Sequence, residues 1–186
     1  MSRVKFEHFV PLNVAILTVS NRRTLADDSA GELLQARALD AGHCVSARSV
    51  LPANKYQIRA TVSKWIANDE IQVVLISGGT GLTDEDVTPE AIEVLFDKSV
   101  DGFGELFRHC SLKQVGYSTL QSRASAGLAN KTLIVAMPGS PRACETAWDE
   151  IISAQLDARQ GPCNFVPHLS TTNSVVCSSR EDSVCN

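Results

Sequence analysis

Residues 71–90 read IQVVLISGGTGLTDEDVTPE, and the order of residue types within that stretch decides the fold. The apolar, β-branched run 71–76 is short and stopped by glycine, which predicts a buried strand. Bare backbone follows at Gly78, Gly79, Thr80 and Gly81, where residues without Cβ can take positive φ and let successive N–H groups converge on an anion. Asp84, Glu85 and Asp86 come next, where a hard cation such as Mg²⁺ would bridge protein carboxylates to a ligand phosphate. Thr88-Pro89-Glu90 then reads as a helix start, with a hydroxyl cap, proline at the first helical position and an acid in the positive first turn. The bland alternative is a tight turn followed by a solvated acidic tip, since the loop is neither GxGxxG nor GK[ST].

The pattern repeats outward from this segment. Residues 14–19 predict a second buried strand that breaks into Ser20-Asn21-Arg22-Arg23. Asp28 or Ser29 caps a helix carrying Leu34, Ala38 and Ala41 on one face, and Gly42 ends it. Residues 44–51 read as a strand whose polar content suits a sheet edge, stopped by Pro52. From Asn54, the stripe Ile58, Val62, Trp65 and Ile66 has helical period, and the helix after Pro89 is expected to bury Ala91, Ile92, Leu95 and Phe96. Gly102-Phe103-Gly104-Glu105 is expected to interrupt the pattern before a short helical ELFRHC and a loose region ending at Arg123. Residues 132–137, TLIVAM, form another buried run that breaks into Pro138-Gly139-Ser140-Pro141. There Ser140 is placed as N-cap, and Pro141 opens a long helix with Cys144, Trp148, Ile151 and Ile152 toward the core.

Continuous apolar strands alternating with amphipathic helices predict an α/β, three-layer architecture: a mainly parallel sheet with helices on both faces. Right-handed crossovers place the strand-to-helix turns on one rim, where open α/β sheets bind ligands. Ser20-Asn21, Gly78 to Asp86 and Pro138 to Ser140 are therefore expected to meet. A chain of 186 residues, 44% apolar and 20% charged, fits a single domain over 1–169, followed by a small, polar tail over 170–186 that is expected to be disordered. A net charge of −4 without a basic run argues against nucleic acid. The lack of a long apolar stretch or signal-like start argues against a membrane and for the cytoplasm. Six cysteines without a CxxC are expected to be reduced thiols, and four scattered histidines support no structural metal. Leu106, Phe107 and Leu112 are candidate subunit contacts or satellite core.

Together, AILTVSNRR, IRATVSKWIA, QVVLISGGTGLT with DVTPE, GFGE, TLQSRA, ANKTLIVAMPGS, ACETAW, QLDAR and CNF give the chain a close resemblance to the MoaB/Mog family of molybdenum cofactor biosynthesis, from about Pro11 to His168. The resemblance implies a molybdopterin-binding fold that assembles as a homotrimer or homohexamer. It also implies transfer of AMP from Mg²⁺ and ATP to the terminal phosphate of molybdopterin in active members. It assigns Gly78, Gly79, Thr80 and Gly81 to the phosphate, with Ser20, Ser122, Pro138, Gly139 and Ser140 lining the pocket. Asp86 takes the part of the catalytic, metal-organising aspartate, and Thr88 and Glu105 are helpers. One position departs: active members carry a second essential aspartate just after the proline that ends the second strand, and here that place holds Ala53. Two readings follow, an adenylyltransferase and a non-catalytic molybdopterin carrier. A third, a Rossmann-type oxidoreductase, lacks both GxGxxG and an acid placed for a ribose.

Overall fold

The computed structural model describes residues 8–169; the expected tail over 170–186 lies outside the described residues. Six strands form one sheet in the order β2-β1-β3-β6-β5-β4: β1 Asn13–Val19, β2 Cys44–Leu51, β3 Val73–Ser77, β4 Lys98–Ser99, β5 Ser125–Ala129 and β6 Thr132–Met137. The pairs β1–β2, β1–β3 and β3–β6 are parallel, whereas β5–β6 and β4–β5 are antiparallel. Alternation along each central strand splits the core in two. Val14, Ile16, Val73, Leu75, Leu133 and Val135 face one layer, which includes Leu34 of α1 (Ser29–Asp40), Phe107 of α4 (Asp101–Val115) and Cys144 of α5 (Pro141–Ala147). Ala15, Leu17, Val74, Ile76, Ile134 and Ala136 face the other, with α2 (Lys55–Ile66) and α3 (Thr88–Ile92). The α/β, three-layer reading holds, and β2 is an edge as its composition predicted.

Local chemistry explains the helix starts. Asp28 caps α1 through its carboxylate and the Gly31 N–H, Asn54 caps α2 by accepting from Tyr56 and Gln57, and Ser140 accepts from Ala143 at the start of α5. The helix begun by α5 continues through a π turn over Trp148–Ile152 into α6 (Ser153–Gln155), and keeps Trp148, Ile151 and Ile152 buried. Ala41 is exposed at the end of α1, not part of its core stripe.

Several expectations are corrected. Thr88 is not the hydroxyl cap of α3: it is itself helical, fully buried, and donates its hydroxyl to the Gly78 carbonyl at 2.8 Å. That helix lasts five residues before a tighter turn over Glu93–Leu95, so Leu95 and Phe96 are only half-buried. Gly102 and Gly104 lie inside the 15-residue α4 and do not interrupt it. Gly104 is needed for close approach, because a Cβ there would run into the carbonyl oxygen of Ala124, the residue before β5. Phe107, expected near the surface, is 2% exposed. Of the thiols, Cys110, Cys144 and Cys163 are free, whereas Cys44 is disulfide-bonded, contrary to expectation. Among the described residues no helix is long and apolar enough to cross a membrane.

His43 ties the start of β1 to the long helix. Its ring packs tilted against Phe9 and edge-on to Trp148, at centroid distances of 5.1 and 6.3 Å, and its Nδ1 accepts the Leu12 N–H at 3.2 Å. Burial pushes the imidazole pKa down to about 4, against a smaller opposing pull from Asp157. The folded pKa lies below the unfolded value of 6.5, so the unfolded chain takes up the proton first. Stability present above about pH 6.5 is lost as pH falls toward 4, by up to about 3 kcal/mol. Urea unfolding at pH 7.5 and 4.5 should show that loss, and His43→Gln should flatten the dependence; equal slopes in both proteins would exclude His43 as its source.

Candidate functional site

The β1, β3 and β6 turns meet at one rim, as their order in the sheet requires. Gly78 takes φ +95° and Gly79 φ +66°, and a Cβ on Gly78 would strike the Val19 carbonyl oxygen of β1. A Cβ on Gly139, in the turn after β6, would stand 3.0 Å from the Gly78 Cα. The three turns are thus in backbone contact, and only glycine permits the approach.

Within the loop the N–H groups divide their work. Gly78 N–H donates to the Met137 carbonyl at 2.9 Å, and Gly81 N–H bonds the Asp86 carboxylate. Gly78 and Gly81 therefore shape the loop with their amides. Among the described residues, no protein acceptor meets the N–H of Gly79 or Thr80, which leaves two consecutive donors for an anion.

Asp86 closes the loop. Its Oδ2 accepts from the Thr83 hydroxyl at 2.6 Å and the Thr83 N–H at 3.0 Å, and it stays half-exposed. Burial pulls its pKa upward, but the Thr83 hydroxyl, the Thr83 and Gly81 amides and the Arg123 charge outweigh that and hold the carboxyl below its usual range. It is an anion at neutral pH. Asp84 is exposed at the tip and Glu85 turns toward the same space as Asp86.

Two clefts flank the loop. The larger, about 310 Å³, takes Thr80 and Gly81 on one side, Ser122, Pro138 and Ser140 around it, and α4 beyond. The smaller, about 190 Å³, holds Ser20, Asn21, Gly79, Glu85, Asp86 and Ala53. The predicted rim residues are therefore brought together, but in two compartments. Ser20 and Asp86 share the smaller cleft, where the Ser20 hydroxyl accepts the Arg22 and Arg23 amides at 3.2 Å. Thr88 lies behind the loop as its buried prop. Glu105 stands apart, on a polar cavity with Asp101, Arg108 and Ser125.

Asn21 reaches the rim as expected, whereas the part played by Arg123 escaped the sequence reading. Asn21 accepts the Ala53 N–H at 2.8 Å and so joins the end of β1 to the turn after β2. Arg123 donates from its main chain to the Thr80 carbonyl at 2.9 Å, from Nε to the Gly81 carbonyl at 2.7 Å, and from its other nitrogens to the Asp86 carbonyl and the Glu90 carboxylate. The planar fork binds both arms of the 78–90 loop at once. An isolated arginine after a loose segment gives no sign of that, because its partners are backbone carbonyls forty residues upstream.

For a divalent cation the donor set is workable but thin. Asp86 offers an ionised oxygen, Glu85 borders the same cleft, and Ala53 opposite offers none. That suits Mg²⁺, which takes one or two carboxylates together with substrate phosphates, better than a metal held by protein alone.

Comparison with known proteins bears on these clefts. Residues 15–158 match the sequence profile of a family described as "Probable molybdopterin binding domain". The chain is 60% identical over 169 residues to molybdenum cofactor biosynthesis protein B of Escherichia coli (strain K12), covering 91% of this chain and 99% of that protein. A crystal structure titled molybdenum cofactor biosynthesis protein B superposes with a TM-score of 0.77 at 36% identity, over 79% of this chain and 92% of the other. The tungsten cofactor synthesizing protein MoaB from Pyrococcus furiosus superposes with a TM-score of 0.70 at 31% identity, over 78% and 92%.

Proposed function

We propose, from the premise that this chain belongs to the family of probable molybdopterin binding domains, that it binds molybdopterin in molybdenum cofactor biosynthesis. The terminal phosphate sits on the Gly79 and Thr80 amides, and the body of the molecule fills the larger cleft. The observation that carries this reading is the pair of uncommitted amides at the wall between two clefts. Gly78, Gly81, Gly139 and Thr88 shape that wall; Ser122, Pro138 and Ser140 border the pocket.

Adenylyl transfer is the chemistry the second cleft would serve. An oxygen of the bound phosphate attacks the α-phosphorus of ATP, the bond to the β-phosphate oxygen breaks, and pyrophosphate leaves. Two anions must approach one another, so positioning and charge neutralisation matter more than a protein nucleophile. The Gly79 and Thr80 amides fix the attacking phosphate, and the Asp86 carboxylate, locked by Thr83, faces the ATP side. Mg²⁺ held by Asp86 and the ATP phosphates would neutralise charge on those phosphates. Ala53 lines the same cleft and adds no ligand, which favours a second reading, a carrier that holds molybdopterin without transferring AMP.

Purified protein incubated with molybdopterin, Mg²⁺ and ATP tests both. Molybdopterin binding is the expected result; its absence overturns the proposal. A missing metal carboxylate is worth several kcal/mol at the transition state, so Ala53→Asp should form adenylylated product roughly 100-fold faster than the natural chain. Bound molybdopterin with no product and no pyrophosphate from either protein leaves the carrier reading standing. The protein is proposed to act in the cytoplasm as a homotrimer or homohexamer, an assembly that would cover the exposed Leu106 and Leu112 of α4.

A further inference from the structure

The larger cleft has a far wall that the phosphate does not reach. Phe107, Ser111, Gln114 and Val115 of α4 line it at helical spacing, opposite Pro138 and Ala143. The cleft is apolar except for a few hydrogen-bonding groups, which is how flat heteroaromatic rings are held.

Gln114 is the polar group on that wall with a fixed partner. Its Oε1 lies 3.0 Å from the Thr146 hydroxyl oxygen, and the same hydroxyl lies 2.9 Å from the Arg142 carbonyl. A hydroxyl has one proton, and both contacts as placed would need it. Rotating the carboxamide by half a turn resolves the conflict: Thr146 donates back to Arg142, and the Gln114 amide nitrogen donates to Thr146. Oxygen and nitrogen of a carboxamide are distinguished only by such bookkeeping. The rotation leaves the Gln114 carbonyl, with an N–H beside it, without a partner among the described residues, on a side chain that lines the cleft. An acceptor next to a donor matches a cyclic amide edge, in which a ring N–H adjoins a ring carbonyl. A pterin carries that edge.

Resting on the reading above, we infer that Gln114, held by Thr146, is a specificity-determining residue that reads the cyclic-amide edge of the pterin ring in the cleft between α4 and α5. Gln114 is exposed, so water replaces the edge in ligands that lack it, and the discrimination is that of one matched donor–acceptor pair.

The test uses the full chain, with 6-hydroxymethylpterin followed by its fluorescence and inorganic phosphate followed by calorimetry. Gln114→Leu keeps the size of the side chain and removes its hydrogen bonds. It should weaken the pterin at least about tenfold while phosphate binding is unchanged. Thr146→Val, which frees the carboxamide to rotate, should weaken the pterin about threefold and leave phosphate alone. Pterin affinity unchanged in Gln114→Leu overturns the inference, as does equal loss for both probes. A natural chain that binds phosphate and no pterin also overturns it and leaves the phosphate reading intact. Binding of neither probe overturns both.

Discussion

Asp28→Ala should cost about 3–5 kcal/mol of stability, read as a lower urea midpoint at unchanged slope. Asp28 is 1% exposed, and both its carboxylate oxygens are engaged. Oδ1 accepts the Gly31 N–H at 2.9 Å, while Oδ2 accepts the Thr18 hydroxyl at 2.9 Å and an Arg48 nitrogen at 3.2 Å. The Thr18 hydroxyl lies 3.1 Å from that of Ser77. One carboxylate therefore caps α1, ties it to edge strand β2 and braces the ends of β1 and β3 just before the rim. Alanine leaves the Arg48 charge without its carboxylate and the Thr18 hydroxyl and Gly31 N–H without their acceptor, which makes the loss larger than that of an ordinary cap. Asp28→Asn keeps the cap through its one carboxamide oxygen but puts an NH2 donor where Oδ2 accepted from Thr18 and Arg48, so it should lose less than alanine only by the worth of the cap, about 1 kcal/mol. A loss below 1 kcal/mol in Asp28→Ala would show that the network is not holding the rim. Molybdopterin affinity should fall along with stability, because Ser77 leads directly into Gly78.

Arg123→Gln should weaken molybdopterin binding by at least about tenfold while lowering stability by only about 1–3 kcal/mol. The side chain is 31% exposed, so its pairing with Glu90 adds little on its own. Its value lies in bonds to the carbonyls of Gly81 and Asp86, which keep the two arms of the loop at a set spacing. Without them the Gly79 and Thr80 amides are no longer aimed together. Arg123→Lys keeps the charge and loses the fork, so it should recover part of the stability and little of the affinity. The Asp86 carboxyl should titrate at higher pH in Arg123→Gln than in the natural chain, a shift visible by carboxyl NMR. Unchanged affinity and unchanged titration would remove Arg123 from the site.

The parallel part of the fold was legible because its three central strands are continuous apolar runs closed by glycine or a polar turn, and its edge strand β2 is a mixed run stopped by proline. Residues 14–19, 71–76 and 132–137 all obey that rule. The antiparallel margin was not. β5 reads SAGLA, with small residues where β-branched ones are usual, and Gly127 is there to admit the Phe96 ring. The two-residue turn joining β5 to β6 has positive φ at Asn130 and Lys131, +46° and +62°, as hairpin geometry demands, yet lysine at the second place hides the usual Asn-Gly signal. Glycines at 102 and 104 looked like breakers because propensity is local, whereas Gly104 answers to the neighbouring Ala124 backbone. At the rim, topology alone predicted that the three turns converge. It did not predict that Gly79 and Asp86 would border one cleft and Thr80 and Gly81 the other, since that depends on which way the loop folds over Arg123.

That separation has a consequence for how such a chain can change over evolutionary time. Gly79 borders one compartment and Thr80 the other, so the partition is a single peptide unit, about 3.8 Å between Cα atoms. Substitutions in the partition are felt on both sides and cannot improve one task without disturbing its neighbour. Ala53 lies across only the smaller compartment, away from the shared wall. A lineage that no longer needed the second task could drop it there in one replacement and keep the first whole.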